Sequence, residues 1–131
     1  MATLDILKAL GDETRLRIAN LLLEVDEMCG CEIEAILDLT QSNASRHLTR
    51  LRASGLVHGE RRGQWIYLSL TGPHREAGGF VEGAITAARG DEPALQADLD
   101  RLAAYRRTGQ GCSTIRERIE SVTTQWEGGA Q

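Results

Sequence analysis

Leu4, Leu7, Ala9 and Leu10 fall at helical spacing, Gly11 closes that run, and Asp12 stands as an N-cap for a second helix. Leu16, Ala19, Leu22, Leu23 and Val25 carry the second apolar face. A cysteine-bearing stretch, Met28-Cys29-Gly30-Cys31-Glu32, precedes a short apolar face of Ile33, Ile36 and Leu37. The polar run Thr40-Gln41-Ser42-Asn43 then opens a helix through Ala53, with Leu48 and Leu51 turned inward and Ser54-Gly55 as its stop. Residues 32–53 thus predict helix, short turn, helix. Leu56 to Glu60, a tip of Arg61-Arg62-Gly63-Gln64, and Trp65 to Leu70 with period-two alternation predict a β-hairpin that carries two arginines at its turn.

Beyond Pro73, Ala77, Phe80, Val81, Ala84, Ile85 and Ala88 share one helical face, although Gly78, Gly79 and Gly83 weaken that helix and leave it in need of a packing partner. Gly90 to Pro93 starts another, with Leu95, Leu99, Leu102 and Ala103 on its face, running to about Arg107. After Thr108-Gly109-Gln110-Gly111, Ile115, Ile119, Val122 and Trp126 repeat at four, three and four residues, behind Thr114 and Glu117 in capping-box spacing. The pattern is mostly α with one β-hairpin. It divides into residues 1–107 and a C-terminal extension, 108–131, that carries Cys112 and a last short amphipathic helix.

The chain has 131 residues, 41% of them hydrophobic, which suits one modest core that dimerisation would help. No apolar run approaches the roughly 20 residues of a membrane span, and the first eight residues lack a signal peptide's apolar stretch, so the expected location is cytoplasmic. Net charge is −4, yet residues 40–69 hold Arg46, Arg50, Arg52, Arg61 and Arg62 against Glu60 alone. An acidic chain with one basic segment is suited to local phosphate contact, and a solvated arginine-rich surface is the plainer alternative.

Gln41 and Ser42, then Ser45 and Arg46 with His47, then Thr49 and Arg50 stack polar side chains on one face of the predicted helix. Glutamine and arginine can pair with base edges, serine and threonine with bases or phosphates, and a helix N-terminus favours phosphate. The same pattern alone would also suit an ordinary surface helix. With a ribbon whose tip is Arg61-Arg62 directly behind it, the arrangement offers a groove-reading helix and a second, minor-groove contact. His47 and His58 read as structural or phosphate-facing rather than as metal ligands. No Cys-x-x-Cys, phosphate loop or serine with a paired base is present, which argues against an enzyme.

Three cysteines, an odd number without an export signal, argue against a disulfide framework. Cys29 and Cys31 lie one residue apart at a predicted helix start, where the thiolate is favoured and both sulfurs can reach one soft ion. As small buried hydrophobes they would need no ligand.

The segments LGDETRLRI, QSNASRHLTRLRASGLV and RRGQWIYLSL, in that order across residues 4–70, resemble the arsenic-repressor (ArsR/SmtB) family of winged-helix regulators. The resemblance implies a homodimeric winged helix-turn-helix repressor that binds double-stranded, palindromic operator DNA and is released by an inducer. Glu27-Met28-Cys29-Gly30-Cys31-Glu32 is similar to the family's inducer-binding motif. Where some members have a third cysteine, this chain has Glu34, which leaves Cys112 as the candidate third ligand. Arsenite or antimonite would take the three sulfurs as a pyramid. Zinc or cadmium on Cys29, Cys31 and two of Glu32, Glu34, a histidine or Cys112, and a redox or persulfide sensor using Cys31 and Cys112, are the alternatives.

Overall fold

The computed structural model describes residues 3–108. Its elements are α1 (Thr3–Leu10), α2 (Glu13–Glu24), β1 (Met28–Cys29), α3 (Gly30–Leu37), α4 (Gln41–Ala53), β2 (Val57–Arg62), β3 (Trp65–Leu70), α5 (Gly72–Arg75), α6 (Phe80–Asp91) and α7 (Pro93–Arg107). The helix pair and β-hairpin that the pattern predicts are present, α3 with α4 and β2 with β3, and together they make the winged helix-turn-helix that the resemblance implies. Cys112 and the expected Ile115 to Trp126 helix lie outside the described residues.

Helix α2 is the central post. Its Ile18, Ala19, Leu21 and Leu22 are fully buried, and it packs against α1, α4, α6, α7 and β3. Each fully buried leucine or isoleucine contributes about 1.5–3 kcal/mol, so this one face supplies much of the core. Asp12 caps α2 by accepting the Arg15 N–H at 3.0 Å, as its position predicts. Helix α7 is tied to α2 by a buried charge: Asp98, with no exposed surface, takes two hydrogen bonds from Arg17 at 2.8 and 2.9 Å and pairs with Arg101. Arg101 also donates to the Ile36 carbonyl at 3.0 Å, which brings the end of α3 onto the same helix.

The turn between α3 and α4 needs one left-handed residue, and Asp38 takes it at φ 55, a conformation that a short polar side chain tolerates. Thr40 then caps α4 by accepting the Asn43 N–H at 3.2 Å. In the wing, β2 runs to Arg62, opposite Trp65, so the loop is Gly63-Gln64 alone. Gly63 at φ +65 followed by a residue with negative φ is the arrangement of a II′ hairpin turn.

Two expectations change. The single helix expected beyond Pro73 is broken: Gly78 adopts φ +86 and Gly79 caps α6, so α5 is one turn and α6 begins at Phe80. On the expected apolar face Val81 and Ile85 are buried, whereas Phe80 is 44% exposed. Helix α1 likewise buries Ile6, Ala9 and Leu10 and leaves Leu4 and Leu7 outward, 60% and 48% exposed. The structure also adds a third strand: β1 pairs antiparallel with β3, Met28 opposite Leu68 and Cys29 opposite Tyr67.

Candidate nucleic-acid interface and thiol site

On α4, Gln41, Ser42, Ser45, Arg46, Thr49 and Arg50 are all exposed, and Ala44 and Leu51 are buried on the opposite side. Arg46 is steadied by Asn43 one turn earlier, and Thr49 donates back to the Ser45 carbonyl at 2.8 Å, leaving its oxygen able to accept. His47 stands apart from that set. It is buried, with Nδ1 3.4 Å from Arg15 Nη1 and 3.7 Å from Asp12 Oδ2, so it anchors α4 to the corner between α1 and α2. A guanidinium can only donate, which assigns the acceptor role to Nδ1 and the neutral ring's proton to Nε2. Burial lowers the pKa of His47, the nearby arginines push the same way, and Asp12 offsets part of it.

At the wing tip the two arginines have different surroundings. Arg62 donates to both oxygens of Glu27 at 2.6 and 2.9 Å and to Glu60 at 2.7 Å, and its guanidinium lies 4.6 Å over the Tyr67 ring. That pairing holds the Glu27 carboxyl below its ordinary range and raises Arg62. Arg61 is exposed and has no ion pair or hydrogen bond among the described residues. Arg61 is therefore the solvent-facing cation of the wing tip, while Arg62 stitches the wing to the segment ahead of Cys29.

Cys29 caps α3 and Cys31 lies in its first turn, with the two Sγ atoms 3.5 Å apart. A tetrahedral ion with bonds to sulfur of about 2.3 Å sets two of its sulfurs about 3.8 Å apart, so little movement separates this pair from joint ligation. Glu32 holds the arrangement: its Oε1 accepts the Cys29 N–H at 3.0 Å and its Oε2 pairs with Arg106 at 3.2 Å. Arg106 also donates to the Glu27 carbonyl at 3.2 Å, which brings the end of α7 beside both cysteines. Arg106 went unread in the sequence, as did the capping role of Glu32, which stands three residues after the cap, the spacing of a capping box. Among the described residues no group of three His, Cys, Asp or Glu side chains is gathered to hold an ion.

A cavity of about 560 Å³ opens between α3, α4 and the wing. Cys29 and Cys31 line one part of it, Ala35, Leu39, Leu48 and Ile66 form apolar wall, and Gln41, Ser45 and Thr49 line it from the exposed side of α4. Cys29, Cys31 and the exposed face of α4 thus border one space.

Residues 12–58 match the family model described as bacterial regulatory protein, arsR family. Among solved structures, HlyU from Vibrio cholerae N16961 is 30% identical with a TM-score of 0.55, over 68% of this chain and 89% of that one. The chain belongs to the arsR family of bacterial regulatory proteins. As an arsR-family regulator it is a DNA-binding protein and not an enzyme, and its α4 is the second helix of the family's helix pair. The "Arsenical resistance operon repressor" of Escherichia coli (strain K12) is 44% identical over 71 residues, 54% of this chain and 60% of that protein. The homodimeric winged helix-turn-helix DNA-binding domain of Mb0332 from Mycobacterium bovis is 25% identical with a TM-score of 0.55, over 71% and 82%. The chain spans between about half and three fifths of the length of the curated arsenic-resistance relatives it matches. Among the described residues no helix is long and apolar enough to cross a membrane.

Proposed function

We propose that this arsR-family chain is a metalloid-responsive transcriptional repressor, which binds a palindromic operator as a homodimer and lets go when arsenite or antimonite is taken up by Cys29, Cys31 and Cys112. The observation that carries the reading is the pair of cysteine sulfurs at the start of α3, 3.5 Å apart and bordering the same cavity as the exposed face of α4. Similarity to the arsenical resistance repressor supports the choice of inducer. So does the state of Glu32, whose two oxygens are taken by the Cys29 N–H and by Arg106. A tetrahedral zinc or cadmium ion would need a fourth donor, whereas a pyramidal metalloid needs three sulfurs. Cys112 is four residues past Thr108, and four residues reach at most about 14 Å. With Arg106 hydrogen-bonded on both flanks of the cysteine pair, the third sulfur can come from the same chain.

The ligand exchange balances without a redox step. Arsenous acid has three As–O bonds; three thiols replace them with three As–S bonds, and the thiol protons leave with the hydroxyls as three waters. In the operator complex, two-fold symmetry sets two copies of α4 about one DNA turn apart, with Gln41, Ser42, Ser45, Arg46, Thr49 and Arg50 toward the groove and Arg61 toward the backbone. The outward Leu4, Leu7 and Phe80 supply apolar surface to the second copy. Uptake of the metalloid acts where three parts meet: the cap of α3, the β1 to β3 pairing, and the Glu27 to Arg62 bond to the wing. A coupling of about 1–3 kcal/mol there changes operator affinity by about 5–150-fold.

The test is fluorescence anisotropy of a duplex that the reduced protein has selected from random-sequence DNA, titrated with arsenite. The parent is expected to release the duplex, while Cys29→Ser and Cys31→Ser bind it with parental affinity and hold it at every arsenite concentration. Release of the parent by zinc or a persulfide donor but not by arsenite, or failure of Cys29→Ser to bind DNA at all, would overturn the reading.

A further inference from the structure

We infer that the groove between the C-terminal half of α4 and β2 seats one phosphodiester of the DNA backbone, held by the Arg52 guanidinium and the His58 ring, and that Gly59 is bare so that the guanidinium can lie flat on the strand. The inference rests on the reading of α4 as the groove-reading helix and on nothing at the cysteines.

Arg52 stands one turn past Thr49, and the two residues form a rim shared by the cavity beside the cysteines and a second groove. Thr49, Arg52, Ala53, Val57, His58 and Gly59 line that groove, and no carboxylate is among them. The next acid along β2, Glu60, is taken by Arg62. Arg52 and His58 are exposed, and their side chains have no hydrogen bond or ion pair among the described residues. Gly59 shows where the guanidinium rests: a methyl in place of its hydrogen would meet Arg52 Cζ and Nε at 3.0 Å and Nη2 at 3.3 Å. Three guanidinium atoms at nearly one distance mean that the plane faces the strand instead of pointing at it end-on. Its N–H groups then project sideways along the groove, in the fork that matches two phosphate oxygens. The φ of Gly59 is not positive, so space and not backbone conformation calls for glycine there. His58 carries an N–H in either tautomer. Thr49 has its proton on the Ser45 carbonyl and serves as wall.

The groove also lies where a phosphate has to pass. One sugar–phosphate strand separates the major groove of a duplex from the minor groove beside it, so a duplex that takes α4 in one and the wing tip in the other carries that strand between them. Arg52 faces the passage from α4 and His58 from β2, and Arg61 is three strand residues further on, about 10 Å toward the tip. A contact of this kind carries no base information. It fixes the depth and register of α4, on which the base contacts of Gln41 and Arg46 depend.

The experiment follows duplex anisotropy across salt concentrations for the full chain, Arg52→Gln, Gly59→Val and the double variant, with urea midpoints to show that each is folded. Arg52→Gln is expected to weaken the selected duplex and an unrelated one by the same factor, and to make the salt slope shallower by about 1.8 for a two-fold dimer. Gly59→Val keeps the charge and unseats it, so affinity falls by about threefold or more while the slope stays parental. In the Arg52→Gln background Gly59→Val costs nothing further, because the group it displaces is gone. Should the valine variant not fold, Gly59→Ala, whose methyl meets the guanidinium at 3.0 Å, runs the same cycle. A parental slope in Arg52→Gln, or additive losses in the double variant, overturns the inference. Arg46→Ala separates it from the reading beneath it: if Arg46→Ala binds the selected duplex as the parent does, α4 is not in the groove and both fall, whereas weakened binding there with a parental slope in Arg52→Gln overturns the inference alone. The source of the phosphate is read from the ring signals of His58, since His47 and His74 are buried. They are expected to shift with duplex and not with inorganic phosphate at the same phosphate concentration. A saturable shift with inorganic phosphate assigns the groove to a free anion and overturns the inference.

Discussion

The two wing arginines can be separated by their response to salt. Arg61 is exposed without an ion pair among the described residues, whereas Arg62 is held by Glu27 and Glu60 and lies over Tyr67. A cation that contacts a phosphate releases counterions, and the logarithm of the binding constant then falls with the logarithm of salt by about 0.9 per contact. Arg61→Gln removes one contact per protomer, so a two-fold dimer loses about 1.8 from its slope. Over a fourfold rise in salt, from 50 to 200 mM, this amounts to about a twelvefold smaller loss of affinity than the parent suffers. The comparison is the double variant Glu27→Gln with Arg62→Gln, which removes the ion pair and leaves the net charge unchanged. It is expected to bind more weakly at every salt concentration, because the wing is no longer stitched to the segment before Cys29, while its slope stays parental. Operator anisotropy at four or five salt concentrations reads all three proteins. A double variant whose slope falls as far as that of Arg61→Gln would show that Arg62 leaves its carboxylates to meet a phosphate, and the assignment of roles at the tip would fail.

Two further outcomes concern the scaffold. His47 has a lowered pKa in the fold, so below its ordinary value of 6.5 the unfolded chain binds the proton more readily; stability present above pH 6.5 is lost as pH falls through the folded value. His47→Gln is expected to flatten that part of the urea midpoint against pH, and an unchanged profile would refute the assignment. Asp98→Ala leaves Arg17 and Arg101 without the buried carboxylate that joins α7 to α2. Because the two guanidiniums left behind are partly exposed, the expected cost is about 1–3 kcal/mol in urea unfolding, and a loss under about 0.5 kcal/mol would show that water replaces the carboxylate.

The helix pair and the wing were legible because each rests on local signals: the Thr40 cap and the Ser54-Gly55 stop bound α4, and alternation from Trp65 to Leu70 marks β3. The inward turn of His47 was legible too, since it lies three residues after Ala44 and four before Leu51 on one stripe, yet a polar residue in a basic stretch reads as surface. Strand β1 was not legible, because two residues show no period and its strandness comes entirely from β3, about 40 positions later in the chain. The same holds for Arg62, whose partner Glu27 is 35 residues away and depends on that pairing. The arrival of Arg106 beside Cys29 depends on how α7 packs on α2 and α3, a property of tertiary contacts that no window of sequence carries.

The central claim is that three sulfurs of this chain form the inducer site, and X-ray absorption at the arsenic edge counts them directly. With one equivalent of arsenite on the full-length reduced protein, the account predicts three sulfur neighbours around arsenic, with a sulfur replaced by oxygen in Cys112→Ser. Three sulfurs retained in Cys112→Ser, or an arsenic surrounded by oxygen in the parent, would contradict it.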